Sequence, residues 1–470
     1  MTAWGLRLVR EWDADLRGGD PLDFPGYSRT LKEAEAESVT TGLAELDGCE
    51  VALIQTRFDR FGGTMGAVAG EKVVRAFGRA AAGSLPVVAV TATGGARLQE
   101  GMIALVQMAR TVAARARHAA AGQLMVAVYD SPTTGGVYAS WASLADIRAA
   151  TAGATIGFGG PRVVEQVTGQ WPLLTSHTAE AAYDAGLVDR VLPPGTETDW
   201  LRVVLGRREQ PLTLGPRRPE AGGYPGAGDI SGGWATVQAA RSTTRPSGLE
   251  WAAALTTSWT DLHGPAPVIR AGLARIGGRQ AIVVAMDRHA YMDGNARPGP
   301  DDYRLAQRAI RLASQLRLPL LTLVDTPGAD PGPRAEAGGI AGEIARTLCL
   351  MTEFPGVSVS VCVGEGGSGG AIALGHADRV FLLSGSVFSV IGPEAAAVIL
   401  ERDAGHAPQL ADALGLTGTS LLRLGLVDDL LPDAGAQAPM VIRTAVLDAF
   451  DTARPGDRAT RVDSATQPWL

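Results

Sequence analysis

The stretch VSVSVCVGEGGSGGAIAL, residues 357–374, decides how the rest of the chain is read. Residues 357–363 read as a buried strand, 364–370 as a glycine-rich turn, and 371 onward as the start of a helix. Glycine in such a turn lets backbone N–H groups come close to a ligand, at a helix N-terminus where negative charge is favoured.

Working outward, the second half repeats this grammar. Residues 280–286 and 318–325 read as strands and 301–316 as a helix, and the strand at 318–325 runs into TPGADPG at 326–332. The first half has the same parts. Strands at 51–59, 85–92 and 124–130 lead into FGGTMGAVAGEK (61–72), TGGARLQEG (93–101) and SPTTGGVYASWA (131–142), with a long amphipathic helix over about residues 102–121. Residues 1–38 read as polar and helix-like, and the tail after residue 449 reads as frayed. Between residues 211 and 246 the composition turns to PRRPEAGGYPGAGDISGG and similar, the signature of a linker.

The two halves are related by an internal repeat. GLVDRVLP (186–193) returns as GLVDDLLP (425–432), and Gly94 to Gly135 spans 41 positions, as does Gly328 to Gly369. Order, residue type and spacing agree together, which indicates a duplicated domain. Two glycine turns at the ends of neighbouring strands can aim two backbone N–H groups at one oxygen, an oxyanion hole suited to a thioester enolate. Glycine turns also serve simple strand-to-helix packing, but four of them in matched register favour the chemical reading.

Composition limits the alternatives. The 470 residues carry a net charge of −7, which argues against non-specific nucleic-acid binding. Cys49, Cys349 and Cys362 form no Cys-x-x-Cys pair, and His118, His177, His263 and His376 lack ligand spacing, so no metal site is expected. The chain opens without an apolar signal core and has no run of membrane-spanning length, so a cytoplasmic location with no membrane association is expected.

At the level of motifs, FGGTMGAVAGEK, TGGARLQEG, TTGGVYAS and IGFGGPRVVEQ resemble the β subunit of acetyl-CoA carboxylase carboxyltransferase. RPSGLEW, RPGPDDYRLAQRAIRLA, VDTPGADPG, GEGGSGGAIALG and SVIGPEAAAVIL resemble its α subunit, so the chain resembles a β–α fusion. The resemblance implies an α/β fold of two tandem crotonase (ClpP-like) ββα-spiral domains. These would be a β-like, acyl-CoA-binding domain at 1–213, a Gly/Pro-rich linker at 214–244 and an α-like, biotin-side domain at 245–470.

It implies carboxyl transfer between carboxybiotin and a short-chain acyl-CoA of acetyl or propionyl type, through enolates held in two backbone oxyanion holes. The thioester hole would involve Gly94, Gly95, Ala96, Gly135 and Gly136, with Gly62, Gly63 and Arg97 on the substrate side. The biotin ureido oxygen would sit against Gly328, Ala329, Gly369, Gly370 and Ala371. Arg97 and Glu100 read more simply as braces of the first turn.

Three departures qualify this. The four-cysteine zinc ribbon of the β subunit is missing. The loop MDRHAYMDGN (286–295) has Arg288 as its only basic residue apart from His289. No Met-Lys-Met biotin-attachment motif is present. Carboxybiotin would therefore come in trans from a biotin carboxylase and a biotin carboxyl carrier protein, to a homo-oligomer, dimer or hexamer, acting on acyl-CoA or on an acyl carrier protein. The rival reading is a biotin-independent decarboxylase of a malonyl- or methylmalonyl-thioester, which would use the same N-half hole. A serine hydrolase is a weaker rival, with Ser368 in a G-x-S-x-G context followed by Asp403 and His406.

Overall fold

Two largely apolar runs, VVAVTAT and LLTLVDT, are buried along their length save for half-buried Ala92, as strands covered on both faces must be. They are the central strands of two separate sheets. The computed structural model describes residues 3–173, 175–215, 232–291 and 295–470. The chain divides into two units, Met1–Arg208 and Glu209–Leu470.

The first unit holds β1 (Arg7–Trp12), β2 (Val39–Leu46), β3 (Cys49–Thr56), β4 (Val87–Thr93), β5 (Met125–Thr134), β6 (Ile147–Thr151), β7 (Ile156–Gly157) and β8 (Arg190–Leu192). The second holds β9 (Ser258–Leu262), β10 (Ile269–Ile276), β11 (Arg279–Met286), β12 (Leu320–Thr326), β13 (Ser358–Gly367), β14 (Arg379–Leu383), β15 (Val387–Ser389) and β16 (Asp429–Leu431). The strand order is β1-β2-β3-β4-β5-β6-β8 with β7 on β5, and β9-β10-β11-β12-β13-β14-β16 with β15 on β13. The topologies are identical. In each, the first three strands are antiparallel and the rest parallel.

Local details repeat as well. The two-residue hairpin Asp47-Gly48 joins β2 to β3, as Gly277-Gly278 joins β10 to β11. The aspartate of each GLVD motif accepts the backbone N–H of the second residue of a parallel strand, Asp189 from Arg148 (2.8 Å) and Asp428 from Val380 (2.7 Å). A register break falls between Thr91 and Thr93 in one sheet and between Val324 and Thr326 in the other.

That register corrects the sequence alignment of the halves by one residue. Thr93 pairs with Thr133, and Thr326 with Gly366, each offset by 233 positions. Gly95 therefore corresponds to Gly328 and Gly135 to Ser368, where the motif spacing matched Gly94 with Gly328 and Thr134 with Ser368. Consecutive glycines in both turns hide such a slip.

Other expectations also move. Residues 1–38 are not mainly helical: they contain β1 and one short helix, Tyr27–Glu33. Strand β1 is a polar edge strand broken by a bulge between Leu8 and Arg10, so it lacks the alternation that would have marked it. The helix after β13 begins at Ser368 rather than Ala371, because the strand continues to Gly367 by pairing with β12 and β15. The C-terminal tail is not frayed. Helices Ala438–Thr452 and Asp457–Thr466 pack down, and buried Arg458 bonds to buried Asp378 (2.7 Å). Arg458 thus anchors the tail as a buried charge.

Within the expected linker, residues 216–231 lie outside the described residues, whereas Gly233–Ala240 is a helix packing Val237 and Ala240 on Val387, Ala411 and Leu416.

The core of the first unit carries a pH-sensitive residue. His118, on helix Gly101–Ala120, is 0% exposed; its Nε2 lies 3.1 Å from Leu85 O and its Nδ1 has no partner. Burial pulls its pKa down to about 4. The folded chain thus keeps a neutral imidazole where the unfolded chain takes up a proton, so stability falls as pH drops from 6.5 towards 4. The loss amounts to about 3 kcal/mol at most. Urea midpoints measured across that window should drop for the native chain, and Gln at this position (His118→Gln) should flatten the slope.

Candidate active site

The first glycine turn grows out of β4. Thr93 turns its hydroxyl back to accept Gly95 N–H (3.0 Å), and Gly94 N–H donates to Gly62 O (2.9 Å). The loop containing Gly62 and Gly63 lies directly on this turn, and Met65 N–H donates to Gly95 O (2.8 Å). A Cβ on Gly63 would stand 2.0 Å from Ala92 O, so no other residue fits there. Gly95 takes φ +103°, and a Cβ on it would fall 2.8 Å from both Gly135 Cα and Gly136 N. The turns after β4 and β5 therefore touch backbone to backbone.

Gly135 N–H is taken by Phe158 O (2.9 Å). That leaves Ala96 N–H and Gly136 N–H, both on half-buried residues, as the donors this pair of turns offers a ligand. A Cβ built on Gly136 would stand 3.5 Å from Ala96 N and 3.2 Å from Met108 Sδ, so the missing side chain leaves a space one group wide beside these donors.

The second unit repeats the construction. Thr326 Oγ1 accepts Gly328 N–H (3.1 Å), and Gly328 has φ +131°. Ala329 and Gly369 are half-buried, as Ala96 and Gly136 are, while Gly370 and Ala371 are buried. A Cβ on Gly369 would meet only Ile344 Cγ2, at 3.9 Å, so open space lies in front of it. A Cβ on Gly370 would stand 2.5 Å from Ala329 N and 2.9 Å from Tyr303 Oη. Gly370 is thus the spacer that lets the helix approach the turn, and Tyr303 Oη holds it by donating to Gly370 O (2.9 Å).

Buried charges brace both turns. Arg97, 1% exposed, donates to Thr64 O (2.9 Å), Ser38 Oγ (2.9 Å), Tyr27 Oη (3.1 Å) and Glu100 Oε1 (3.2 Å), pairs with Glu37, and lies over the Phe61 ring. Glu100 in turn accepts Ala67 N–H (2.6 Å), fixing the start of helix Ala67–Ala82. Burial alone would raise the Glu37 pKa, but the Arg97 guanidinium holds it below the ordinary carboxylate range. Arg97 reaches any ligand only through the loop that it holds. Arg97→Met strands two buried carboxylates without their counter-charge and should cost about 3–5 kcal/mol, read as a lower denaturant midpoint.

In the second unit Arg245 pairs with Asp325 (2.9 Å), and Arg241 ties Glu365 (2.8 Å) to Glu394. Arg288, the only arginine of the 286–295 loop, is buried, donates to Ala240 O (2.9 Å) and lies 3.7 Å from Glu365; residues 292–294 of that loop lie outside the described residues.

These twin N–H pairs, one per unit on identical sheets, suit a reaction with two developing oxyanions. The family description "Acetyl co-enzyme A carboxylase carboxyltransferase-like" matches residues 231–449 and "Carboxyl transferase domain" matches residues 23–184. The chain is 41% identical to the acetyl-coenzyme A carboxylase carboxyl transferase subunits beta/alpha of Salinispora arenicola, over 89% of this chain and 79% of the relative. The chain belongs to the acyl-CoA carboxylase carboxyltransferase family.

A probable biotin-dependent acyl-coenzyme A carboxylase beta3 subunit of Mycobacterium tuberculosis is 36% identical, over 90% of this chain and 86% of that one. Among solved structures, transcarboxylase 12S with methylmalonyl-coenzyme A and methylmalonic acid bound has the same fold, with a TM-score of 0.77 at 21% identity, covering 95% of this chain and 88% of that chain. The carboxyltransferase fold expected from the motifs is thereby confirmed.

The hydrolase reading has no assembled triad. His406 is paired with Glu401, Asp403 accepts Gly405 N–H (2.9 Å), and no hydrogen bond among the described residues joins either to Ser368. Ser368 does stand in a left-handed conformation (φ +57°), but so does its counterpart Gly135 (φ +65°), which has no hydroxyl. The conformation belongs to the turn, not to a nucleophile.

Proposed function

We propose that this carboxyltransferase moves a carboxyl group between carboxybiotin, brought by a separate carrier protein, and a short-chain acyl-CoA of acetyl or propionyl type. The observation that carries the reading is the matched pair of turns, with a space beside the Ala96 donor at Gly136 and open space in front of Gly369. The spaces fit a carbonyl-type oxygen in each unit, the thioester oxygen at Ala96 and Gly136 and the biotin ureido oxygen at Ala329 and Gly369.

Bound carboxybiotin supplies the carboxyl group and, once relieved of it, the base for the thioester α-proton. The chain's own residues act through the backbone. Ala96 and Gly136 N–H stabilise the charge that develops on the thioester oxygen as the α-proton leaves. Ala329 and Gly369 N–H stabilise the charge left on the ureido oxygen as the N–CO2 bond breaks. Each donor of this kind is worth about 10²–10³ in rate. Arg97 and Arg245, with their carboxylate partners, hold the turns in place so that little reorganisation is needed.

Partners follow from this reading: a biotin carboxylase, a biotinylated carrier protein and further copies of the chain. Exposed Val398, Ile399 and Leu400 on helix Pro393–Glu401 support self-association. Among the described residues no helix is long and apolar enough to cross a membrane, and the three cysteines are free, which supports the cytoplasm as its compartment.

Reconstitution tests the proposal. Purified chain, biotin carboxylase, biotinylated carrier, ATP and ¹³C-bicarbonate should place label in the thioester of acetyl- or propionyl-CoA only when every component is present. Labelling that does not need the carrier, or no labelling of either thioester, would contradict it.

A further inference from the structure

The loop before helix Pro300–Leu316 brings one cation to the second glycine turn. Arg297 is half-buried, its Nη1 lies 3.4 Å from Pro327 O, and a Cβ built on Gly328 would stand 3.3 Å from the same nitrogen. Asp330 N–H donates to Pro298 O (3.0 Å), so the backbone just after Arg297 is fixed to the turn.

Among the described residues no carboxylate pairs with Arg297. The neighbouring acids are engaged elsewhere. Asp330 accepts Gly332 N–H (2.8 Å), Asp301 pairs with Arg304 (2.6 Å), and Asp302 accepts the N–H groups of Gly299 (2.8 Å), Val268 (3.0 Å) and Ile269 (2.8 Å). By contrast the buried arginines Arg97, Arg245 and Arg458 are each matched to a carboxylate. A guanidinium has five N–H donors, and here a single long bond accounts for one of them.

Among the described residues the first unit brings no guanidinium to the matching place: a Cβ built on Gly95, the counterpart of Gly328 in the strand register, meets backbone atoms of Gly135 and Gly136 instead. The halves thus differ by one charge beside otherwise equivalent turns. A neutral thioester carbonyl calls for no cation; a carboxylated ureido group carries a carboxylate beside its ureido oxygen.

We propose that Arg297 recognises the carboxylate of the carboxylated biotin, taking it with the planar fork that matches carboxylate geometry while the ureido oxygen rests on Ala329 and Gly369 N–H. This rests on the assignment of the second unit to biotin. It makes Arg297 a specificity residue: the loaded form is held, and the unloaded form is released after transfer.

Calorimetric titration of the full chain with biotin methyl ester and with N1-carboxybiotin methyl ester, at mildly alkaline pH where the latter persists, tests this without turnover. The native chain should prefer the carboxylated ester by about tenfold or more. Arg297→Gln should abolish that preference and leave affinity for the plain ester unchanged, and Arg297→Lys should retain part of it. A preference that survives Arg297→Gln, or equal weakening of both esters, would overturn the role of Arg297 and leave the biotin assignment standing. A native chain that takes up neither ester would remove the biotin assignment and this inference together.

Discussion

Gly369→Val should abolish biotin-dependent carboxyl transfer while the protein stays folded. Among the described residues a Cβ would meet only Ile344 Cγ2 there, at 3.9 Å, and the backbone is not left-handed, so valine, no worse a helix former than glycine, should be accommodated without loss of stability. Its two methyl groups would fill the open space in front of Gly369, which the ureido oxygen needs in order to reach its donors. Loss of both donors predicts a fall in rate of about 10⁴ or more. Turnover with free biotin and the denaturant midpoint, measured side by side, check this. Gly370→Val is a poor substitute, because its Cβ would press on Ala329 N at 2.5 Å and displace the turn itself.

Gly136→Val carries the larger consequence. Its Cβ would sit 3.2 Å from Met108 Sδ, the end of a flexible side chain, and its methyl groups would cover Ala96 N–H. The thioester oxygen uses this space in every version of the chemistry, so both biotin-dependent transfer and any direct loss of CO2 from malonyl-CoA should disappear. A folded, fully active Gly136→Val protein would show that the thioester lies elsewhere. The two variants separate the halves: Gly369→Val should spare any biotin-independent decarboxylation, and Gly136→Val should not.

Much of this architecture was legible in the sequence because glycine has few reasons to recur in register. The runs at 94–95, 135–136 and 364–370, with apolar strands before them, mark backbone approaching backbone. What the sequence concealed has physical causes. Strand β1 is a bulged, polar edge, and edge strands need no alternating face. The boundary at 367/368 was misplaced because glycines that pair in a sheet look the same as glycines that turn. The one-residue slip between the halves follows from adjacent glycines, and only hydrogen-bond register resolves it. Arg97 was read as a brace, and its bonds to Glu37, Glu100 and Thr64 bear that out. Arg297 carried no signal at all, since what distinguishes it is the lack of a carboxylate partner in space.

The most direct measurement is made on the purified chain alone. Malonyl-CoA and methylmalonyl-CoA are each incubated with and without free biotin, and the thioesters and biotin are followed by mass spectrometry. The account predicts that the malonyl-type thioester is lost only when biotin is present, with carboxybiotin appearing in equal amount. Rapid loss of CO2 without biotin would contradict it and make the chain a decarboxylase.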